Sequence, residues 1–204
     1  MARNLGPKHR MCRRVGEKLC DLDRCPITRR EYPPGAHGAT AKRRKVTEYG
    51  AQLLEKQKAK VVYGILERQL RGYYERALRS QGDTGVILSR FLECRLDNVV
   101  FRMGFTKSRA AARQAVTHGH VMVNARRVSI PSYQVRVGDV VALRERSRTS
   151  PLFVDYPRLA AERIVPVWLT IVPDDFRGQV IRLPEPADIK NPFRIRGIVE
   201  FYSR

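Results

Sequence analysis

Acidic residues are scarce in this chain of 204 residues: 20 Asp and Glu stand against 40 Lys and Arg, a formal net charge of +20. A surplus of that size repels itself unless a polyanion neutralises it, which argues against an ordinary metabolic enzyme. Long apolar runs are missing as well. The longest, Ile164 to Val172, is nine residues with a proline inside it, whereas a membrane span needs about 20. The opening residues, Met1 to Lys8, lack the apolar centre of a signal peptide, and no Asn-x-Ser/Thr acceptor occurs. Cysteine is limited to four. In a chain with no secretion signal these read as reduced thiols or metal ligands, not as a disulfide framework. No nucleotide-binding glycine loop, His-Glu-x-x-His pair or deaminase signature is present. A soluble, intracellular, non-enzymatic protein is expected.

What remains is enough for a folded protein. Hydrophobic residues make up 43% of the chain and aromatics 8%, which supports a core of one domain or two small ones. The positive charge is unevenly spread. Residues 1–60 hold 16 basic and 6 acidic side chains, net +10; residues 61–94 hold 5 and 4, net +1. Residues 95–145 hold 9 and 3, net +6, and residues 146–204 hold 10 and 7, net +3. A solvated charged face would mix the signs, so two polyanion-facing regions joined by a near-neutral one is the better account.

The pattern predicts an α+β protein in three parts. Residues 1–94 form a mostly helical N-terminal domain preceded by a basic arm over 1–45, rich in Pro and Gly and poor in periodicity. Such a segment needs a staple or a partner. Thr47 is placed to cap a helix with Tyr49, Leu53 and Leu54 inward. Leu66, Leu70, Tyr73, Tyr74, Ala77 and Leu78 recur at helical steps, with Gly82 as the stop. Thr84 is placed to cap a helix whose stripe runs Leu88, Leu92, Leu96, Val99 and Met103, with Cys94 a small buried hydrophobe. Residues 95–145 read as a small RNA-binding module of two helices and a short antiparallel sheet. In it Ser108 caps a helix from Arg109 to His118, and strands cover His120–Asn124, Arg126–Ile130 and Val140–Leu143. Residues 146–204 read as a strand and loop extension packing on the other two parts.

The run Arg95-Leu-Asp-Asn-Val-Val-Phe-Arg-Met-Gly-Phe-Thr-Lys-Ser-Arg109, with Ala112-Arg-Gln114 and His118-Gly-His-Val-Met-Val-Asn124, resembles the RNA-binding module first described in bacterial small-ribosomal-subunit protein four. That module also occurs in pseudouridine synthases, tyrosyl-tRNA synthetases and stress proteins. The flanks narrow the choice: Tyr32-Pro-Pro-Gly35, Tyr63-Gly64, Pro131-Ser-Tyr133, Val137-Gly-Asp139 and Glu200-Phe-Tyr-Ser-Arg204 resemble that ribosomal protein family itself, over essentially the whole chain. The resemblance implies a structural component of the small subunit that binds the 5′ domain of its rRNA directly and nucleates assembly. It also implies contact with small-subunit proteins five and three, a place at the mRNA entry channel, and a part in translational accuracy. The usual glycine of the Asn-Gly hairpin turn is Ala125 here, which puts the turn geometry in question.

His9-x-x-Cys12 and Cys20-x4-Cys25 are two ligand pairs within seventeen residues, the spacing of a closed, structural zinc site. The resemblance adds that some family members carry a four-cysteine zinc site here, His9 standing where the first cysteine would be. Contacts to RNA are expected from Arg3, Lys8, Arg10, Arg13, Arg14, Arg29, Arg30, Lys42, Arg43, Arg44 and Lys45 of the arm. In the module they are expected from Lys107, Ser108, Arg109, Arg113, Gln114, Arg126 and Arg127, Arg109 and Arg113 lying one turn apart opposite the alanines. His118 and His120 are expected to face RNA or solvent, not a metal. The rivals are an RNA-modifying enzyme, in which Arg95-Leu-Asp97 would be catalytic, and a stress factor built on the same module. The first leaves no length for a catalytic domain; the second would lack the cysteine arm and the Glu-Phe-Tyr-Ser-Arg ending.

Overall fold

The computed structural model describes residues 6–7, 9–22, 24–40 and 46–204. In chain order the described helices begin with α1 (Arg10–Val15), a 3-10 turn (Pro26–Thr28), α2 (Glu48–Tyr63), α3 (Glu67–Leu78), α4 (Thr84–Glu93), α5 (Leu96–Arg102) and α6 (Arg109–Thr117). Strands β1 (Val121–Val123), β2 (Arg126–Arg127) and β3 (Val140–Leu143) follow, then α7 (Glu145–Arg148), α8 (Tyr156–Glu162), β4 (Leu169–Val172), β5 (Arg177–Val180) and α9 (Ile195–Ser203). Two compact units result: Met1–Leu88 with Lys190–Arg204, and Ser89–Ile189.

In the first unit Thr47 caps α2 as expected, its Oγ1 accepting from the Gly50 amide at 3.2 Å. The inward face differs. Tyr49 is 51% exposed, while α2 buries Gln52, Lys56, Lys58, Ala59, Val62 and Tyr63. Two lysines can be buried because their stems are apolar and their ammonium groups are met. Lys56 pairs with Glu67, and Lys58 with Glu17 and Glu55. On α3, Leu70, Tyr73, Tyr74 and Ala77 are buried, but Leu78 is 60% exposed and the helix already stops there, so Gly82 belongs to the next turn. Asp83, not Thr84, caps α4, accepting from the Val86 amide at 2.8 Å.

Ile195–Ser203 is a helix and not a strand. Ile195, Ile198, Val199 and Tyr202 recur at steps of three and four, a period hidden by the prolines around it. Tyr202 stacks on Tyr74 with ring centres 4.9 Å apart and donates its hydroxyl to Glu67 at 2.7 Å. Glu67 also accepts from Lys56 at 2.9 Å and Lys60 at 3.0 Å.

The second unit is built on one antiparallel sheet in the order β2-β1-β3-β5-β4. The stripe Leu88, Leu92, Leu96, Val99 and Met103 is fully buried, but it is carried by two helices, because Arg95 adopts φ −67° and ψ 135° and breaks the run. The sheet is wider than the three strands read from 95–145. An open β3 edge would be a site for unwanted pairing, and β5 covers it in the register Val140↔Gln179, Val141↔Gly178 and Ala142↔Arg177. The extension also contains α8, whose Tyr156 and Ala160 join Phe105, Phe153 and Trp168 in the core.

Burial opposes the charge of Glu67, but the bonds from Lys56, Tyr202 and Lys60 outweigh it and hold the carboxyl at about 2, against 4.5 unfolded. A depressed carboxyl stabilises the fold above its unfolded value and loses that contribution as it is protonated. The denaturant midpoint is therefore expected to fall between about pH 4.5 and pH 2, and less so in Glu67→Gln, as urea titrations across that window will show.

Candidate metal centre and nucleic-acid interface

Four potential ligands from three stretches of the arm meet at one point. His9 precedes α1, Cys12 lies within it, and Gly16 at φ +80° turns the chain back in the left-handed conformation glycine favours. That reversal returns Cys20 and Cys25 to the same place. The ligand atoms of His9, Cys12, Cys20 and Cys25 all lie within 4.8 Å of one another. His9 Nδ1 is 3.5 Å from both the Cys20 and the Cys25 sulfur. Cys12 and Cys25 are buried at 0% and 2% exposure. Burial, together with Cys25 and Cys12 nearby, pushes the Cys20 thiol up to about 12, so an approaching cation is needed to hold that sulfur as a thiolate. The group can hold a metal ion.

The cations of the arm separate into two kinds. Arg10, Arg14, Arg29 and Arg30 are exposed. Arg13 instead ties α1 to the Tyr32-Pro33 turn, Nε donating to Tyr32 O at 3.1 Å and a terminal nitrogen to Pro33 O at 3.2 Å, its guanidinium 4.9 Å from the Tyr32 ring centre. Arg3, Lys8, Lys42, Arg43, Arg44 and Lys45 lie outside the described residues.

In the second unit most of the expected cations are already engaged. Arg95, fully buried, holds Asp97 through two bonds at 3.0 and 2.6 Å, and Arg113 approaches the same carboxylate at 3.8 Å. Buried Glu93 accepts from Arg102 at 2.8 and 3.1 Å and from Asn98 at 2.8 Å. Arg109 donates to Asn98 Oδ1 at 2.9 Å and covers the Phe101 ring at 4.4 Å. Arg109 and Arg113 thus do not share an open face. The alanine side of α6 packs on the core and the arginine side packs on α5, leaving Arg113 only 7% exposed. Lys107 is exposed but paired with Asp155 at 2.6 Å, and the Ser108 hydroxyl caps α6 by accepting from the Ala111 amide at 3.3 Å.

Arg126 and Arg127 of β2, with Gln114 and His118, are left exposed. No ion pair among the described residues engages either arginine of β2. Arg127 rests on the turn after α6, where a Cβ at Gly119 would collide with its guanidinium. His120 is half-buried, 3.0 Å from the Ser147 hydroxyl and edge-on to Phe153. Burial, and then the positive groups His118, Arg144 and Arg127, lower its pKa. No third ligand joins the two histidines among the described residues. The turn before β2 has positive φ at both central residues, 49° at Asn124 and 62° at Ala125, so the tight hairpin geometry survives the missing glycine. Asn124 holds it by donating to Asp139 and accepting from the Val140 amide.

Residues 3–93 match the family model described as Ribosomal protein S4/S9 N-terminal domain, and residues 94–141 match the S4 domain. Three similar proteins are small ribosomal subunit protein uS4A of Symbiobacterium thermophilum, at 54% identity, and small ribosomal subunit protein uS4 of Natranaerobius thermophilus and of Acetivibrio thermocellus, each at 50%. Every one of these matches covers 100% of both chains. The chain belongs to the uS4 family of small ribosomal subunit proteins. Its uS4 relatives are ribosomal proteins and not enzymes. Asp97, at 4% exposure and clamped by Arg95, is part of the core.

Sequence reasoning passed over Glu93 and Asn98, whose role in this uS4 chain is to receive Arg102 and Arg109; an acid or amide within an otherwise apolar stripe was the available signal. Two substitutions check the second unit. Asp97→Asn removes the carboxylate that pairs with the buried Arg95 guanidinium and is expected to cost about 3–5 kcal/mol in urea unfolding. Ala125→Gly relieves the left-handed strain, partly offset by the freedom glycine adds to the unfolded chain. It is expected to raise stability by about 0.5–1 kcal/mol, read as a higher melting temperature.

Proposed function

We propose that the protein is a structural, cytoplasmic component of the small ribosomal subunit that binds the 5′ domain of its rRNA and helps nucleate assembly. The observation that carries this is the exposed Arg126–Arg127 hairpin, flanked by Gln114 and His118, in a unit whose other expected cations, Arg113, Arg109 and Lys107, are met by Asp97, Asn98 and Asp155. Arginine forks left open on a rigid tip suit phosphate, and folded RNA is read largely through phosphate, 2′-hydroxyl and shape. Arg10, Arg14, Arg29 and Arg30 form the second contact region. Arg109, Arg113, Lys107 and Ser108 contribute by positioning. The family resemblance extends the reading to small-subunit proteins five and three and to the mRNA entry channel.

The metal we assign to the arm is zinc. Its bonds of about 2.0–2.1 Å to nitrogen and about 2.3 Å to sulfur set a tetrahedral N–S edge of roughly 3.6 Å, and the two His9–sulfur separations are 3.5 Å. Three cysteines and a histidine leave no open position, so zinc would crosslink the arm and supply folding free energy.

A salt titration against a 5′-domain transcript, with an unrelated RNA of equal length as control, tests the reading. Affinity for both is expected to fall steeply with salt, with a preference for the 5′ domain at physiological salt and one zinc per chain. Equal affinity for both RNAs, or a chain purified without metal, would overturn the corresponding half.

A further inference from the structure

The three thiols of the cluster are not equivalent. Cys12 and Cys25 are buried, whereas Cys20 keeps part of its surface open. Their sulfurs all lie within 4.8 Å of one another, so local adjustment can bring a pair to the separation of about 2 Å that a disulfide needs. The backbones differ too. Cys12 is fixed in α1, its carbonyl accepting from the Gly16 amide at 2.9 Å and the Glu17 amide at 3.2 Å. Cys20 and Cys25 stand in irregular chain between α1 and the 3-10 turn, where less structure opposes a small shift. His9 Nδ1 meets these two alike, at 3.5 Å from each sulfur. Four residues separate Cys20 from Cys25 and seven separate Cys12 from Cys20, and the shorter loop costs less entropy to close.

We propose that Cys20 is an oxidation site, and that Cys20 and Cys25 form a peroxide-driven disulfide that dismantles the metal centre. Release of the metal rests on the zinc reading above; the thiol pair rests on geometry. The open Cys20 sulfur attacks one oxygen of hydrogen peroxide. An S–O bond forms, the O–O bond breaks, the sulfur loses two electrons to the peroxide, and the other oxygen leaves as hydroxide. The Cys25 sulfur then attacks the sulfenic sulfur: an S–S bond forms, the S–O bond breaks, and a second hydroxide leaves. Two protons from solvent turn both hydroxides into water. Two of the four ligands are now spent on each other. His9 and Cys12 remain, too few for the closed tetrahedral set of a structural zinc site. A thiol reductant reverses the link by exchange. The arm loses its main crosslink on oxidation, because among its described residues only Leu19 and Ile27 add buried apolar side chains to the cysteines. Its order is thereby coupled to peroxide. Cys94, buried in the other unit, is the internal standard that stays reduced.

The test titrates the full, metal-loaded chain with hydrogen peroxide. Released zinc is read with a colorimetric chelator, and links are mapped by mass spectrometry after free thiols are trapped. Wild type is expected to release about one zinc per peroxide consumed. Cys20–Cys25 should be the main link, with Cys12 and Cys94 recovered as thiols and trypsin cutting faster between His9 and Arg30. Dithiothreitol with added zinc should restore the loaded form. Cys20→His and Cys12→His each preserve four ligands. The first should release its metal about 10-fold more slowly or less, having lost the open thiol, while the second should release it as wild type does. Release from Cys20→His at the wild-type rate overturns the oxidation site, and a main link that includes Cys12 overturns the pair. Should either variant fail to hold metal, the wild-type map of links alone decides for or against the pair. A wild type purified without metal refutes the zinc reading separately, with the pair still judged on the links peroxide forms in the metal-free chain.

Discussion

A guanidinium with no exposed surface must be fully partnered, and the partnering of Arg95 organises the second unit. Arg95 stands where the apolar stripe is broken between α4 and α5, in extended conformation, with a β-bridge to Gln134. Its carboxylate partner Asp97 is on the first turn of α5 and is approached by Arg113 of α6. Beside it, Glu93 at the end of α4 receives Arg102 from the end of α5, and Asn98 passes the contact on to Arg109. Buried ions are costly to desolvate, and geometry and added bonds must compensate. What such a network supplies is direction: α4, α5 and α6 satisfy these groups together in a single arrangement. That arrangement places the end of α6, and with it Gly119, under Arg127 of the hairpin.

The arm solves the opposite problem. Among the described residues of the arm, only Leu19 and Ile27 join Cys12 and Cys25 as buried apolar residues, too little to order a segment of this length by burial. Its order comes instead from the four-ligand cluster, from the Gly16 reversal and from Arg13 on the Tyr32–Pro33 turn. A basic segment held this way can present cations without first burying them, which is what phosphate recognition requires. The far end of the same unit is secured by aromatic and ionic contacts, with Phe201 under Lys56 and Tyr202 between Tyr74 and Glu67.

Most elements could be read from periodicity and punctuation. The α2 cap at Thr47, the α6 cap at Ser108, the alanine face of α6 and β3 were all legible, because each depends on residues within one or two turns. The misreadings also have causes. Leu78 carries the right spacing but sits at the end of α3, where nothing covers it. Clustered prolines concealed α9, and the strand-and-loop pattern of 146–204 carried no sign that two of its strands widen the module's sheet. Lys56 and Lys58 are buried although lysine is ordinarily a surface residue, since Glu67, Glu17 and Glu55 arrive from elsewhere.

The sequence by itself determined the chemistry available: a cationic chain, a His-Cys-Cys-Cys ligand set at metal-binding spacing and an α+β order of elements. Only the tertiary structure decided which of many arginines remain open to a polyanion. Arg13, Arg95, Arg109 and Arg113 resemble Arg126 and Arg127 in sequence, yet the first four are engaged inside the fold. An arginine side chain is long and flexible, and its partner is chosen by whatever carboxylate, carbonyl or ring the packing of helices brings within reach. That proximity is a property of the fold, and local sequence does not encode it.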